Sequence, residues 1–503
     1  MTMAFWLPLV VLCSSLVTGL VIFVLPEDRS RLRTVLNMLG ATVKVGGVFL
    51  MAWGLLMHEV VHEVRFTMGL GFDFLIRVDL LSLAFVSLSS NLWFLTTLYA
   101  VGYLEGSDNR SRFFGFFSLC VTASTGVALA GNLITFFIFY EFLTLVTYPL
   151  VVHRGTPQAL AAGRIYLWYA MGAGAVLFLA VVWLQVLRGP FDFVSGGALR
   201  SIENLSRRDL SAIFALLIIG LSVKSALVPF HGWLPAAMVA PAPVSALLHA
   251  VAVVKAGAFG VMRVVLDVYG KDFAAELGLL DPLAVVVVAT ILFGSLRALM
   301  QTELKRRLAY STVSQVSYIA LGAVALGPLA TVGGLVHLVH QGVMKITLFF
   351  CAGILAETRG IHRIDQMDGV GRLMPVTMTM FSLAALGMIG VPPMAGFVSK
   401  WYLAQGGIQG GQDWVLVVLV VSSLLNAAYF LPILHAAWFK PLSRQPAHGA
   451  RLGVDGSLEA PWTLLLPTLV TGLFALAAGV FAGWEWSPLG VAEKIAVGRG
   501  GLP

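Results

Sequence analysis

Lysines and histidines inside apolar runs are the residues of this sequence with chemistry to offer. The stretch 221–263, LSVKSALVPFHGWLPAAMVAPAPVSALLHAVAVVKAGAFGVMR, carries Lys224, His231, His249 and Lys255. A lysine at membrane depth is expensive and usually marks an ion or proton pathway. Pro229 and Pro235 cannot donate backbone hydrogen bonds, so the helix beginning near residue 210 should be interrupted at VPFHGWLP. Broken backbone is tolerated in a bilayer only where protein or a water-filled cavity satisfies the freed groups. Charge beside a break points to transport.

Further groups repeat the pattern. Glu141 is the only acid in LITFFIFYEFLTLVTYPL, where a carboxylate must pair or stay protonated. LVHLVHQGVMKITLFF places His337, Gln341 and Lys345 at i, i+4 and i+8, one polar stripe suited to passing protons or to bonding a neighbouring helix. His340 falls one place off that stripe. In GVPPMAGFVSKWYL, Pro392 and Pro393 break a helix next to Lys400. His249 and Lys255, read on one continuous helix, point about 120° apart. Pro229, Pro392, Pro393 and His231 are gate candidates, with helix capping the other role open to His231. Lys44 reads as a snorkelling side chain of the second apolar run, with membership of a relay the lesser alternative, and Lys305, Arg306 and Arg307 as solvated loop charges. Residues 58–62, HEVVH, match the H-E-x-x-H zinc pattern. With no third ligand motif downstream, no metal site is expected, and an intramembrane zinc protease is a distant alternative.

The run PAPVSALLH after the broken lysine-bearing helix resembles the signature of the antiporter-like subunits shared by respiratory complex I and the Mrp-type multisubunit cation/proton antiporters. The resemblance implies a proton-translocating subunit with fourteen helices, in which Glu141 on the fifth pairs with Lys224 on the seventh. It also implies inverted five-helix repeats over helices 4–8 and 9–13, with helices 7 and 12 broken. The family carries either a lysine or a histidine at places such as 249 and 255, and often a second histidine where Gln341 stands.

The elements that must position these groups follow from composition. Of 503 residues, 58% are hydrophobic and 11% charged, and the mean hydropathy is +0.90. Soluble domains carry roughly 25% charged residues, so the chain is an all-α polytopic membrane protein. Apolar runs of spanning length lie near 4–25, 34–57, 77–103, 113–130, 132–152, 163–187, 210–229, 242–266, 280–301, 308–326, 330–356, 374–406 with a break, 413–438 and 461–483. The first lacks a basic flank and a cleavage site, and reads as a retained helix. The divisions expected are 1–112 for helices 1–3, 113–267 and 268–440 for the two repeats, and 441–503 for the last loop and helix 14. Gly172 and Gly174 within the sixth run read as close helix packing.

Cys13, Cys120 and Cys351 are scattered, and no nucleotide, haem or iron–sulfur motif appears, so no cofactor is expected. The net charge of +7 resides largely in short loops and bears on topology rather than on nucleic acid. Loops at 27–33, 107–112, 153–164, 303–307, 357–372 and 440–451 follow odd-numbered helices and hold most of the loop Arg and Lys. They belong on the cytoplasmic face of a bacterial inner membrane, with both termini outside. With no energy-converting chemistry of its own, the chain should work beside other integral membrane subunits in the bilayer. An Mrp-type antiporter, a complex I-like or hydrogenase membrane arm (hence part of a quinone oxidoreductase complex) and an inorganic-carbon uptake system all qualify. Protons are the expected cargo, with sodium left open. The absence of a long lateral helix after residue 483 speaks against the most distal complex I subunit. Single-cysteine labelling with an impermeant thiol reagent checks the orientation: a cysteine at 365 should react only in opened cells, and one in the 188–209 loop in intact cells.

Overall fold

The computed structural model describes residues 3–69, 72–200, 206–442 and 459–498. Each of the fourteen apolar runs is helical, and among the described residues eleven helical spans, 242–269 counted as one, are long and apolar enough to cross a membrane. Helix α1 (Met3–Phe23) is followed by α2 (Ser30–His58), and the two pack against each other with exposed apolar faces. A β-hairpin follows, β1 (His62–Met68) paired antiparallel with β2 (Phe72–Val78). The sequence reading has no strand here and starts the third helix at 77. Instead α3 (Leu80–Tyr103) begins after Asp79, whose carboxylate accepts from the Ser82 amide at 2.6 Å as an N-cap.

Helices α4 (Arg110–Leu129), α5 (Leu133–Val151), α6 (Pro157–Arg188) and α7 (Arg207–Lys224) succeed one another through short turns and one longer loop. Asn132, Thr156 and Ser206 cap α5, α6 and α7 with their side-chain oxygens. The first break starts earlier than Pro229. Helix α7 ends at Lys224, since the proline ring four residues beyond Ser225 excludes a helical carbonyl there, and Ala226 turns with φ +56°. The short α8 (Trp233–Ala236) fills the break, and its 3-10 extension ends at Val239.

The run 242–266 is divided. Helix α9 (Ala242–Ala250) stops, Val251 and Ala252 depart from helical angles, and α10 (Val253–Arg263) resumes. His249 and Lys255 therefore do not share one continuous helix, and the 120° separation does not apply. A π-helical segment, Val264–Tyr269, then leads to α11 (Lys271–Glu276).

Helices α12 (Leu280–Leu299), α13 (Leu304–Val324) and the 32-residue α14 (Pro328–Arg359) form the second half of the core, α14 being almost wholly buried. After the one-turn α15 (Val370–Leu373), α16 (Pro375–Ile389) and α17 (Ala395–Gln409) flank the second break. Gly390 ends α16 at φ +94°, and its N–H bonds back to Leu386 and Gly387. Helices α18 (Trp414–Phe439) and α19 (Trp462–Val480) complete the runs, and α20 (Pro488–Val497) follows beyond the last expected helix. Its first turn is capped by Ser487.

The loops after odd-numbered runs meet one another. The Glu27 carboxylate accepts from the amides of Arg110 and Ser111, Arg112 donates to the His153 carbonyl, and the 302–304 backbone pairs with 362–364. Lys440 pairs with Asp368 at 3.2 Å. Residues 443–451 of the 440–451 loop, and residues 201–205 of the 188–209 loop, lie outside the described residues.

At the other end of the bundle the hairpin is pinned by charge. Arg65 reaches Asp73 at 2.7 Å and Asp192 at 2.5 Å, and Arg77 reaches Glu63 at 2.7 Å and Asp192 at 2.9 Å. The Arg65 guanidinium holds the Asp73 carboxyl below the usual carboxylate range. Just beneath, Arg263 is buried and bridges Asp79 at 2.5 Å to Asp267 at 2.6 Å, tying α3 to the π-helical segment. Replacing Arg263 by Met should cost about 3 kcal/mol, the low end for breaking a buried pair because Asp79 is partly exposed. A lowered unfolding temperature of the purified complex, with Arg263→Lys intermediate, would register it.

Candidate functional site

The first cluster forms where α5, α6 and α7 meet. Lys224 is buried at the very end of α7, with its ammonium over the Tyr140 ring and donating to the Tyr140 carbonyl. The Glu141 carboxylate stands 3.8 Å away, partly exposed. Gly174 makes this possible, because a Cβ there would lie 2.6 Å from the Glu141 carboxyl carbon. The glycine reading for α6 thus holds at Gly174, against a side chain, while Gly172 faces open space.

Lys255 lies fully buried on α10 and donates to the Leu338 carbonyl of α14 at 2.8 Å. Gly257 lets α10 approach the end of α7 this closely, for a Cβ there would run into the Ser225 backbone nitrogen. So the break beside Lys224 and the helix of Lys255 are in direct backbone contact. His249 is fully buried on α9 and packs on Phe349, ring centroids 4.5 Å apart. Among the described residues, neither nitrogen of His249 nor either amide atom of Gln341 meets a hydrogen-bond partner.

The α14 stripe faces α13 and α17. His337 Nδ1 meets the Ser399 hydroxyl at 2.8 Å, and its ring lies against Tyr318. Two turns on, Lys345 donates to Ser311 and, at 3.1 Å, to the Leu308 carbonyl. His340 is buried but off this face.

The second break supplies oxygen directly. Met388 and Ile389 end α16, and their carbonyls accept from Lys400 at 3.0 and 2.7 Å, while Ser423 of α18 accepts at 2.9 Å. Gln315 and Asn426 also donate to the Met388 carbonyl. Pro392 and Pro393 lie in the turn that frees these groups. Ser399 is the neighbour of Lys400, so the His337 hydroxyl contact and the Lys400 cage sit on consecutive residues of α17.

The structure therefore gathers Glu141, Lys224, Lys255, His249, His337, Lys345 and Lys400 into the core between α5 and α18, linked helix to helix. His231 is not brought to them. It lies half-buried in the first break against Phe293 of α12, while Pro229 is exposed.

Two readings are corrected. Lys305 is not a solvated charge but donates to the Ala240 carbonyl at 2.6 Å, where the first break ends. Arg307 likewise caps the carbonyls of Gln301 and Tyr429, and Arg306 alone of the three is exposed, pairing with Glu303. Lys44 does not snorkel; it is fully buried. The HEVVH match, from which no metal site is expected, does not lie on one helix: α2 ends at His58, Glu59 turns left-handed at φ +53°, and His62 opens β1. Missed altogether were Tyr140, Ser311, Ser399 and Ser423, neutral partners that no charge pattern marks.

A polytopic helical membrane protein with a buried file of titratable side chains is the class this fold and site define. Residues 130–426 match the family described as NADH:quinone oxidoreductase/Mrp antiporter, transmembrane region. NADH-quinone oxidoreductase subunit N of Desulforudis audaxviator is 37% identical over 393 residues, covering 76% of this chain and 77% of the relative. One component of a probable K(+)/H(+) antiporter of Rhizobium meliloti is 29% identical over 452 residues, 88% of this chain but 44% of the relative. A chain of the Mrp complex from Dietzia superposes with a TM-score of 0.84 at 23% identity, covering 98% and 97% of the two chains. The chain belongs to this family, as one of the antiporter-like membrane subunits shared by complex I and Mrp antiporters.

Gly174→Val should displace Glu141 without touching either charge. Ion transport by the assembled complex is expected to fall at least tenfold while subunit content stays constant.

Proposed function

We propose that this chain carries protons along the buried file, as a subunit of a multisubunit complex in a bacterial inner membrane. The observation that carries the reading is the Glu141–Lys224 pair: opposite charges 3.8 Å apart, on neighbouring helices, with the lysine at the last residue before a break. Such a pair is a switch. Closed, it stabilises both charges; opened, it leaves a buried ammonium that releases its proton readily, because burial disfavours the charged amine.

From Lys224 the route runs to Lys255 across the α7–α10 contact, then to His337 and Lys345 on α14, and out by Lys400. His249 and Gln341 lie beside it, and buried polar groups of this kind are met by ordered water, which would carry the hops that side chains do not span. The driving requirement is modest. Moving one charge against about 150 mV costs roughly 3.5 kcal/mol. A swing of two to three pKa units in a lysine supplies about that much, at about 1.4 kcal/mol per unit.

The two broken segments, each with a lysine beside it, make corresponding halves over 113–267 and 268–440, inverted with respect to one another, a transporter arrangement. Other membrane subunits provide the energy. The positive loops set the cytoplasmic face.

If the pair is one switch, Glu141→Gln and Lys224→Met should each abolish coupled transport, and the double variant should be little worse than either. Lys224→Arg should fail too, since a guanidinium holds the pair but does not release a proton. Proton pumping or antiport in vesicles at matched assembly checks all four. Normal transport with arginine at 224 would reduce the pair to a structural tie.

A further inference from the structure

Outside the file, one more lysine is sealed from solvent. Lys44 has no exposed surface, and its ammonium reaches Thr125 Oγ1 of α4 at 2.8 Å while lying 5.5 Å from the Trp93 ring centre of α3. Among the described residues no carboxylate pairs with it. An ammonium has three N–H donors. Lys400 satisfies three acceptors and Lys345 two, whereas Lys44 has the single hydroxyl. A threonine hydroxyl both accepts and donates, and an aromatic face attracts a cation. The site thus offers a partner to the neutral amine and to the charged one.

The lysine also closes a seam. On α2, Arg33, Asn37 and Lys44 follow at i, i+4 and i+11. On α4, Ser111, Ser118, Thr122 and Thr125 follow at i, i+7, i+11 and i+14, so each set lines one helix face. Three rungs join the two faces and a fourth reaches α1. Arg33 donates to Ser111 at 2.8 Å, Ser118 to the Asn37 side-chain Oδ1 at 3.4 Å, Lys44 to Thr125, and Thr122 to Ser15 of α1 at 2.8 Å. At its outer end Arg33 pairs with the half-exposed Glu27. From residue 111 to 125 the seam runs about 21 Å at 1.5 Å per residue. Of the titratable groups facing Lys44, Cys13 comes from α1, and Arg33 with Glu27 and His62 lie along α2 toward its two ends. The helices α3 and α4 present Trp93, Ser89 and hydroxyls there.

We propose that Lys44 is a second proton-exchanging lysine, off the main file, served from the Glu27 end by the hydroxyl and amide seam between α1, α2 and α4. The proposal rests on the proton-transport reading and adds a loading site to it. A lysine kept only for packing would need neither the rungs below it nor an ionisable head.

Transport against pH, in vesicles containing the whole complex, tests it. Lys44→Met and Lys44→Arg should each lower the rate at least fivefold at unchanged assembly. The double variant Asn37→Leu/Ser118→Ala leaves the Lys44–Thr125 bond intact and should lower the rate likewise. Thr125→Val should displace the pH profile. Wild-type rate and profile in the Asn37/Ser118 variant, or in Lys44→Arg, would overturn the proposal, as would a loss that merely tracks lost complex. Failure of the main file is distinguishable, because it would appear as retained transport in Lys224→Met.

Discussion

A buried ammonium must find oxygen, and the core of this protein is arranged to supply it without supplying acid. Lys400 takes two carbonyls from the end of α16, Lys305 takes the Ala240 carbonyl at the end of the first break, and Lys255 takes the Leu338 carbonyl of α14. In an intact helix each carbonyl is already committed to the amide four residues on. Breaking a helix releases the last ones. Pro392 and Pro393 are therefore tied to Lys400 by hydrogen-bond accounting, since the break they make leaves free the acceptors at the end of α16, whereas Lys255 shares a carbonyl of the unbroken α14.

Carbonyl dipoles differ from carboxylates in one consequence. They stabilise a cation without binding it as an ion pair, so a lysine held by carbonyls keeps its neutral form within reach. Glu141 is the exception, a carboxyl group that among the described residues pairs with Lys224. At 4 Å and an effective dielectric of 20, two unit charges interact by about 4 kcal/mol. That term is large enough to hold a proton in place and to release it if the pair parts by a few ångströms. A second carboxylate beside Lys255 or Lys345 would trap a proton there. Among the described residues, Lys224 faces a carboxylate, while Lys255, Lys345 and Lys400 face carbonyl and hydroxyl oxygens.

Much of this was legible in residue types. Apolar runs located the helices, prolines marked the breaks that follow α7 and α16, and charged or histidine side chains in apolar runs marked groups that the fold buries. What escaped had no such mark. The interruption at Val251–Ala252 lies in HAVAVVKAG, where neither proline nor glycine flags it at the break itself. Packing of α9 against α14 and of α10 against α7 imposes it. The hairpin at 62–78 was hidden because its strands, HEVRFTM and FDFLIRV, are short and lie between two long helices. Lys305 looked like a loop charge because local sequence cannot show that Ala240, 65 residues earlier, places a bare carbonyl above it. The neutral partners Ser311, Ser399 and Ser423 belong to the same blind spot. A serine in an apolar helix is common, and only the fold says which lysine or histidine it meets.

Helix α14 stands apart from the elements it touches. It runs 32 residues without a break, while its neighbours α9 and α10 are divided from one another, as are α16 and α17. Lys345 of its polar stripe meets the undivided α13, whereas two other contacts of α14 are made near a division: Leu338 receives Lys255 three residues past Ala252, and His337 meets Ser399 four residues past the start of α17. A continuous helix keeps its hydrogen bonds when neighbours shift, whereas a divided one can pivot at its unpaired turn. A pivot at such a division would change which oxygen faces Lys255 or His337, while the order of His337, Gln341 and Lys345 is fixed by the continuous helix that carries them.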